Sequence, residues 1–205
     1  MNSIEALWRE EIIINIDTYK PYVKDLLKNL QWGFYGKILR NPPPPVTPKY
    51  LLFICKGNIC RSPFAERLAG KMVLDKGIEG VSVDSAGFEA VNSNSSPTEA
   101  VRSALRFGIS IGNHSAKALD GSMMKRADMV LVMEVAHKRR LSKAFPIDKD
   151  KIYLLPLFNN FSSGWTNKYI RFNIPDPYGQ AEDKFTDCYF QIDHCLNGLF
   201  SSIYE

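Results

Sequence analysis

The sequence predicts an α/β fold in which a four-stranded parallel sheet carries helices on both faces, and two observations support it. From residue 49 onward, short apolar runs alternate with longer stretches of helical periodicity, the pattern of parallel strands joined by helical crossovers. The first apolar run, Tyr50-Leu51-Leu52-Phe53-Ile54, stops at a small, polar, thiol-bearing segment. Open α/β sheets bind ligands there, beyond the carboxyl ends of their strands.

In chain order, residues 1–40 read as a mostly helical N-terminal extension. Tyr22 to Leu39 places Val23, Leu26, Leu27, Leu30, Phe34 and Ile38 along one helical stripe. Lys20, Lys24, Lys28, Lys37 and Arg40 make the opposite side basic, while Gly33 and Gly36 weaken the helix. Residues 41–48, with prolines at 42–45 and 48, cannot continue a helix and favour a stiff extended spacer. A domain over residues 49–205 follows. Tyr50–Ile54 is its first strand, and a helix spans Pro63 to Lys76, with Pro63 in the first turn where its missing N–H does no harm. Gly80–Asp84 is the second strand, carrying Val81 and Val83. Ser96-Pro97 starts a helix with Val101, Leu105 and Phe107 on its apolar side and Gly108 at its end. Met129–Met133 and Ile152–Leu155 are the third and fourth strands. A final helix over Lys184–Ser202 sets Phe185, Tyr189, Ile192, Leu196 and Leu199 at helical spacing, with Cys188 and Cys195 as core residues.

Bulk properties exclude several function classes. At 205 residues, with 45% hydrophobic and 12% aromatic content, the chain can bury a full globular core. A net charge of +4 gives no case for nucleic acid as the partner, and it suits an anionic substrate. Four cysteines without a leader segment point to a reducing, cytoplasmic setting, since Glu5, Glu10, Glu11 and Asp17 interrupt any apolar signal core. No stretch reaches the length of a membrane span. The cysteines and histidines lack zinc-site spacing, so neither metal nor cofactor is expected.

The chemistry sits in Cys55-Lys56-Gly57-Asn58-Ile59-Cys60-Arg61-Ser62. Backbone N–H groups of a tight loop ahead of a helix form an anion site, and the Arg61 fork can bind two phosphate oxygens at once. The same positive field favours the Cys55 thiolate, which is the nucleophilic form. Gly-x-x-x-x-Gly-Lys-Ser/Thr is absent, so this phosphate-binding loop is not that of a nucleotide hydrolase. Ser62 can donate to the thiolate, or it can cap the helix that follows.

Cys55 through Arg61 with Ser62-Pro63 resembles the signature of the low-molecular-weight protein tyrosine phosphatases, and the resemblance extends over most of residues 49–205. It implies hydrolysis of phosphotyrosine through a cysteinyl-phosphate intermediate. It also implies a general acid, then base, at Asp176, within Pro175-Asp176-Pro177-Tyr178-Gly179. Tyr178 matches an aromatic wall beside the substrate ring, with no second aromatic following it. Asn58 matches a residue that holds the loop in a left-handed turn, and Ser85 and His114 match its buried hydrogen-bond partners. The resemblance further implies that Cys60 can form a protective disulfide with Cys55 under peroxide, against the plainer reading of Cys60 as a small buried hydrophobe.

Three neighbouring readings differ in their residues. Arsenate reductases of this fold need additional relay cysteines, and none lies between Arg61 and Asp187. Protein-arginine phosphatases of the family usually carry threonine where this chain has Ile59. A non-catalytic phosphotyrosine-binding module would be expected to have lost the nucleophile, the arginine or the acid. By analogy with bacterial members, the implied partner is a tyrosine kinase of polysaccharide export. Residues 20–40 offer either a packing face, on this domain or on a second copy, or a peripheral contact with the inner face of an anionic membrane.

Overall fold

The computed structural model describes residues 39–159 and 169–204, so the extension expected over residues 1–40 lies outside them except for its last two positions. The chain divides into two compact units, and the larger, Arg40–Thr166 with Ile170–Glu205, carries every element described below. Its sheet has the order β2-β1-β3-β4, with β1 at Tyr50–Cys55, β2 at Ser82–Gly87, β3 at Met129–Val132 and β4 at Ile152–Leu154. All pairings are parallel. The helices are α1 (Arg61–Asp75), α2 (Thr98–Leu105), α3 (Gly121–Arg126), α4 (Val135–Ala144) and α5 (Glu182–Tyr204).

Alternation along the strands explains why both sheet faces are covered. Leu51 and Phe53 of β1, with Met129 and Leu131 of β3, join the main core, where Phe64 and Leu68 of α1 meet Ile192 and Leu196 of α5. Leu52, Ile54, Val130 and Val132 point to the opposite face and are fully buried there. The Phe64 and Tyr189 rings stack at 3.9 Å between centroids, with Phe107 edge-on to Phe64 at 5.4 Å, which locks α1 to α5. The loop between Cys55 and Arg61 therefore starts from a strand buried on both sides and ends in a helix clamped by aromatic packing.

Several elements depart from expectation. β2 lies later than Gly80–Asp84: Ser85, Ala86 and Gly87 are poor strand formers, but β1 pairs with them residue for residue up to Cys55↔Gly87. α1 begins at Arg61 with Cys60 as its flanking residue and no side-chain cap, so Ser62 is not the N-cap. Leu105 is 58% exposed, because α2 buries only Ala100, Ser103 and Ala104. Two short helices carry no strong apolar periodicity. In one of them, α3, Asp120 caps the start by accepting from the N–H groups of Ser122 at 2.7 Å and Met123 at 2.9 Å.

The proline segment is fastened to the sheet edge. The Asn41 side chain accepts from Leu154 N–H at 2.7 Å and donates to Leu154 O at 2.9 Å, imitating a neighbouring strand on β4. Tyr153 donates to Pro43 O at 3.1 Å and Tyr204 to Pro48 O at 2.6 Å. A run that cannot offer ladder N–H groups thus covers an edge through side chains from both partners. Among the described residues, no helix is long and apolar enough to cross a membrane.

Candidate active site

The loop between β1 and α1 is shaped around one asparagine. Asn58 has φ +54°, in the left-handed region that asparagine tolerates. Its N–H donates to Cys55 Sγ at 3.3 Å, and its side-chain NH2 donates to Ser62 Oγ at 2.9 Å and Ser85 Oγ at 2.8 Å. Its carbonyl Oδ1 accepts from Lys117 N–H at 2.8 Å and lies 3.2 Å from His114 Nε2. His114 Nε2 also lies 2.9 Å from the Asn58 backbone oxygen, an acceptor, so this nitrogen carries the proton. Burial lowers the pKa of His114 and keeps the ring neutral, with the bond to Asn58 acting the other way. Ser85 in turn donates to Glu66 Oε2 at 2.5 Å. Ser85 and His114 accordingly brace Asn58, and Glu66 and Lys117 complete the brace.

Gly87 is the residue that lets β2 approach the loop. A Cβ there would stand 2.7 Å from Lys56 O, 2.8 Å from Asn58 N and 2.9 Å from Gly57 C, all backbone atoms that cannot swing aside. Gly57, more conspicuous in the sequence, has room for a Cβ, which would meet only the Ile59 side chain at 3.5 Å.

Cys55 is buried, and its sulfur lies 3.1 Å from Ser62 Oγ. Because Ser62 Oγ accepts from Asn58, its own hydrogen remains for the sulfur, or for Ala86 O at 3.4 Å. The Cys60 thiol is buried and free, and its pKa is pushed far up, first by burial and then by Cys55. Cys60 O accepts from the Tyr189 hydroxyl at 3.4 Å. Cys188 and Cys195 are buried and free in the core.

Arg61 is 1% exposed and tightly oriented. Its Nη1 donates to Glu134 Oε1 at 2.5 Å and to Ile174 O at 3.0 Å, and its Nη2 pairs with Asp176 Oδ2 at 2.7 Å. Burial alone would lower its pKa, but Cys55, Asp176 and Glu134 more than offset that and keep the guanidinium charged. Its Nε is buried without a hydrogen-bond partner. An unmet donor on a fixed, charged fork is what a bound oxyanion would satisfy.

The loop that carries Asp176 reaches the same place from the opposite end of the chain. Asp176 Oδ1 accepts from Tyr178 N–H at 3.3 Å, Gln180 Nε2 donates to Asp176 O at 2.7 Å, and Gly179 turns the chain at φ +74°. Cys55, Lys56, Gly57, Ile59, Cys60, Arg61, Asp176, Tyr178 and Glu89 line one pocket of about 180 Å³. Tyr178 stands at its rim, 62% exposed, and Lys56 pairs with Glu89 at 3.5 Å. The structure thus brings Asp176 to Cys55 and Arg61, which lie more than 110 positions earlier in the chain.

The sequence reading passed over Glu134, Glu66, Gly87 and Glu89. Only Glu134 left a trace: it is a carboxylate two residues after the buried strand β3, at the same sheet end as Cys55.

Comparison with known proteins gives the family and the fold. A family model described as low molecular weight phosphotyrosine protein phosphatase matches residues 50–205. The chain is 35% identical over 139 residues to a probable low molecular weight protein-tyrosine-phosphatase, EpsP, of Ralstonia solanacearum, covering 68% of this chain and 85% of the relative. The tyrosine phosphatase Wzb of Escherichia coli K30, solved with sulphate, superposes with a TM-score of 0.62 at 26% identity, covering 74% of this chain and 95% of Wzb. The YwlE arginine phosphatase of Geobacillus stearothermophilus superposes with a TM-score of 0.63 at 28% identity, covering 75% and 92% of the two chains.

Proposed function

Because the chain belongs to the low molecular weight phosphotyrosine protein phosphatases, we propose that it hydrolyses phosphotyrosine in proteins through a cysteinyl-phosphate intermediate. The observation that carries the proposal is the buried Arg61 fork with its unmet Nε, in one pocket with a thiol and a carboxyl group.

The roles follow from where charge appears. The loop N–H groups and Arg61 hold the equatorial oxygens, since phosphoryl transfer depends mainly on positioning and charge stabilisation. An incoming phosphate competes with Asp176 for Arg61 Nη2 and turns the carboxyl toward the leaving oxygen. Cys55 Sγ attacks phosphorus, the P–S bond forms, the P–O bond to the phenol breaks, and Asp176 gives the phenol its proton. Asp176 then takes a proton from water, water attacks phosphorus, and phosphate leaves with the thiolate restored. Ser62 stabilises that thiolate by donating to it.

The test is turnover of p-nitrophenyl phosphate and a phosphotyrosine peptide. Cys55→Ser should be inactive. Asp176→Ala should lose about 10²–10⁴-fold in kcat on the peptide, and less on p-nitrophenyl phosphate, whose leaving group needs little protonation. Equal activity of wild type and Cys55→Ser would refute the proposal. A second reading, a protein-arginine phosphatase, has the Geobacillus neighbour in its favour, but Ile59 stands in the pocket where that class usually has threonine. Phosphoarginine peptide turned over faster than phosphotyrosine peptide would decide for it. The substrate is a phosphoprotein, and the partner we propose is a tyrosine kinase of polysaccharide export.

A further inference from the structure

The rim of the pocket is electrically one-sided. Lys56 pairs with Glu89 at 3.5 Å, and Glu89 is also bonded by Arg140 of α4, whose guanidinium holds the Glu89 carboxyl below the usual carboxylate range. Arg140 is fixed a second time, with its guanidinium carbon 4.4 Å above the centre of the Phe88 ring. Phe88 itself rests edge-on against the buried His137, 4.9 Å between ring centres. The trio therefore carries one net positive charge. Arg140 stands on a helix whose sequence, Val-Ala-His-Lys-Arg-Arg-Leu-Ser-Lys-Ala, contains no acid. Beyond Asp176, Asp183 and Asp187 at the start of α5 share Lys184 at 3.3 and 3.2 Å, which leaves that cluster one net negative charge.

None of this is needed to transfer a phosphoryl group. Lys56 and Arg140 keep side chains 60% and 51% exposed, and a guanidinium has more donors than one carboxylate can take. Arg140 is already held in place, so a further partner costs little side-chain ordering. Resting on the phosphatase reading above, we propose that Arg140, with Lys56, is a specificity residue that recognises an acidic side chain next to the phosphotyrosine of the substrate polypeptide. Glu89 acts as the internal competitor that tempers the preference, and the acidic cluster beyond Asp176 fixes the side on which the acidic residue lies.

The experiment compares kcat/KM on three phosphotyrosine peptides, alike except for glutamates before the phosphotyrosine, glutamates after it, or glutamines at both places. p-Nitrophenyl phosphate serves as the substrate without flanks. Wild type should prefer one of the two acidic peptides about two- to fivefold over the neutral peptide, the range of an exposed ion pair. The preference should shrink between 0.05 and 0.5 M NaCl. Arg140→Gln should remove it with p-nitrophenyl phosphate turnover unchanged, and Glu89→Gln should enlarge it. Affinities of Cys55→Ser for the same peptides, read by fluorescence anisotropy, should follow the same order. If wild type cleaves the neutral peptide but treats all three alike, or if Arg140→Gln keeps the preference, the inference is overturned and the phosphatase reading stands. A wild type that cleaves none of the peptides overturns both.

Discussion

Asn58 makes six polar contacts from a left-handed backbone, which ties the shape of the loop to a single residue. Gly87 is its counterpart on β2, and the two predict different failures. Gly87→Ala forces backbone apart from backbone, so it should destabilise the fold by about 1–3 kcal/mol. Activity should fall further than stability, because the displaced atoms belong to Lys56, Gly57 and Asn58. Thermal unfolding and turnover measured on the same sample check this. Glu134→Gln keeps an acceptor near Arg61 Nη1 but removes the charge that orients the guanidinium. We expect kcat to fall about tenfold, roughly 1.4 kcal/mol in barrier, with the fold intact by circular dichroism. An unchanged kcat would show that Ile174 O and Asp176 suffice to aim the fork.

At the scale of elements, the loop works because its two neighbours cannot move. β1 is buried throughout the stretch from Leu51 to Cys55, and α1 is pinned through the Phe64–Tyr189 stack to α5. The Asn41–Pro48 segment has a related task at the far edge of the sheet. Asn41→Ala leaves the part-buried N–H and carbonyl of Leu154 without their partner, so it should cost about 1–3 kcal/mol. Hydrogen exchange at Leu154 should accelerate, while turnover of p-nitrophenyl phosphate should stay near wild type, because β3 lies between this edge and the strand that carries Cys55. The strands, α1, α2 and α5 were legible as periodicity. The end of β2 was not, because Ser85-Ala86-Gly87 is held in the strand by pairing with β1 and not by propensity. Leu105 misled for the opposite reason, its apolar character having no core to face.

For the molecule as a whole, two neutral histidines near the site link folding to pH. His137 has its pKa lowered to about 3, first by burial and then by Arg61 and Arg140; Glu134, 3.4 Å away, is already engaged by Arg61. His114 is lowered too, chiefly by burial. Unfolded, both take up protons near pH 6.5, so below that value the unfolded chain binds more protons than the folded one. Stability therefore falls as pH drops from about 6.5 toward 5, before most carboxylates titrate, and the His137 share continues to about pH 3. Urea midpoints across pH 5–7.5 should show this slope, and His137→Gln should flatten it. A slope unchanged in that variant would assign the effect elsewhere.

By itself the sequence determined the chemistry available: a thiol, a fork and a phosphate-sized turn at Cys55–Ser62, placed after a buried strand, and a carboxylate held between prolines at Asp176. Local order is written locally, since periodicity and turn residues act over a few positions. Only the tertiary structure decided how those groups are held. It set Glu134 and Ile174 O on Arg61, Ser85, His114 and Lys117 on Asn58, and Gly87 against the loop, contacts that join residues 27 to 113 positions apart. The physical reason is that a buried polar group must find its partner wherever the packed chain supplies one, and no neighbour in sequence announces it.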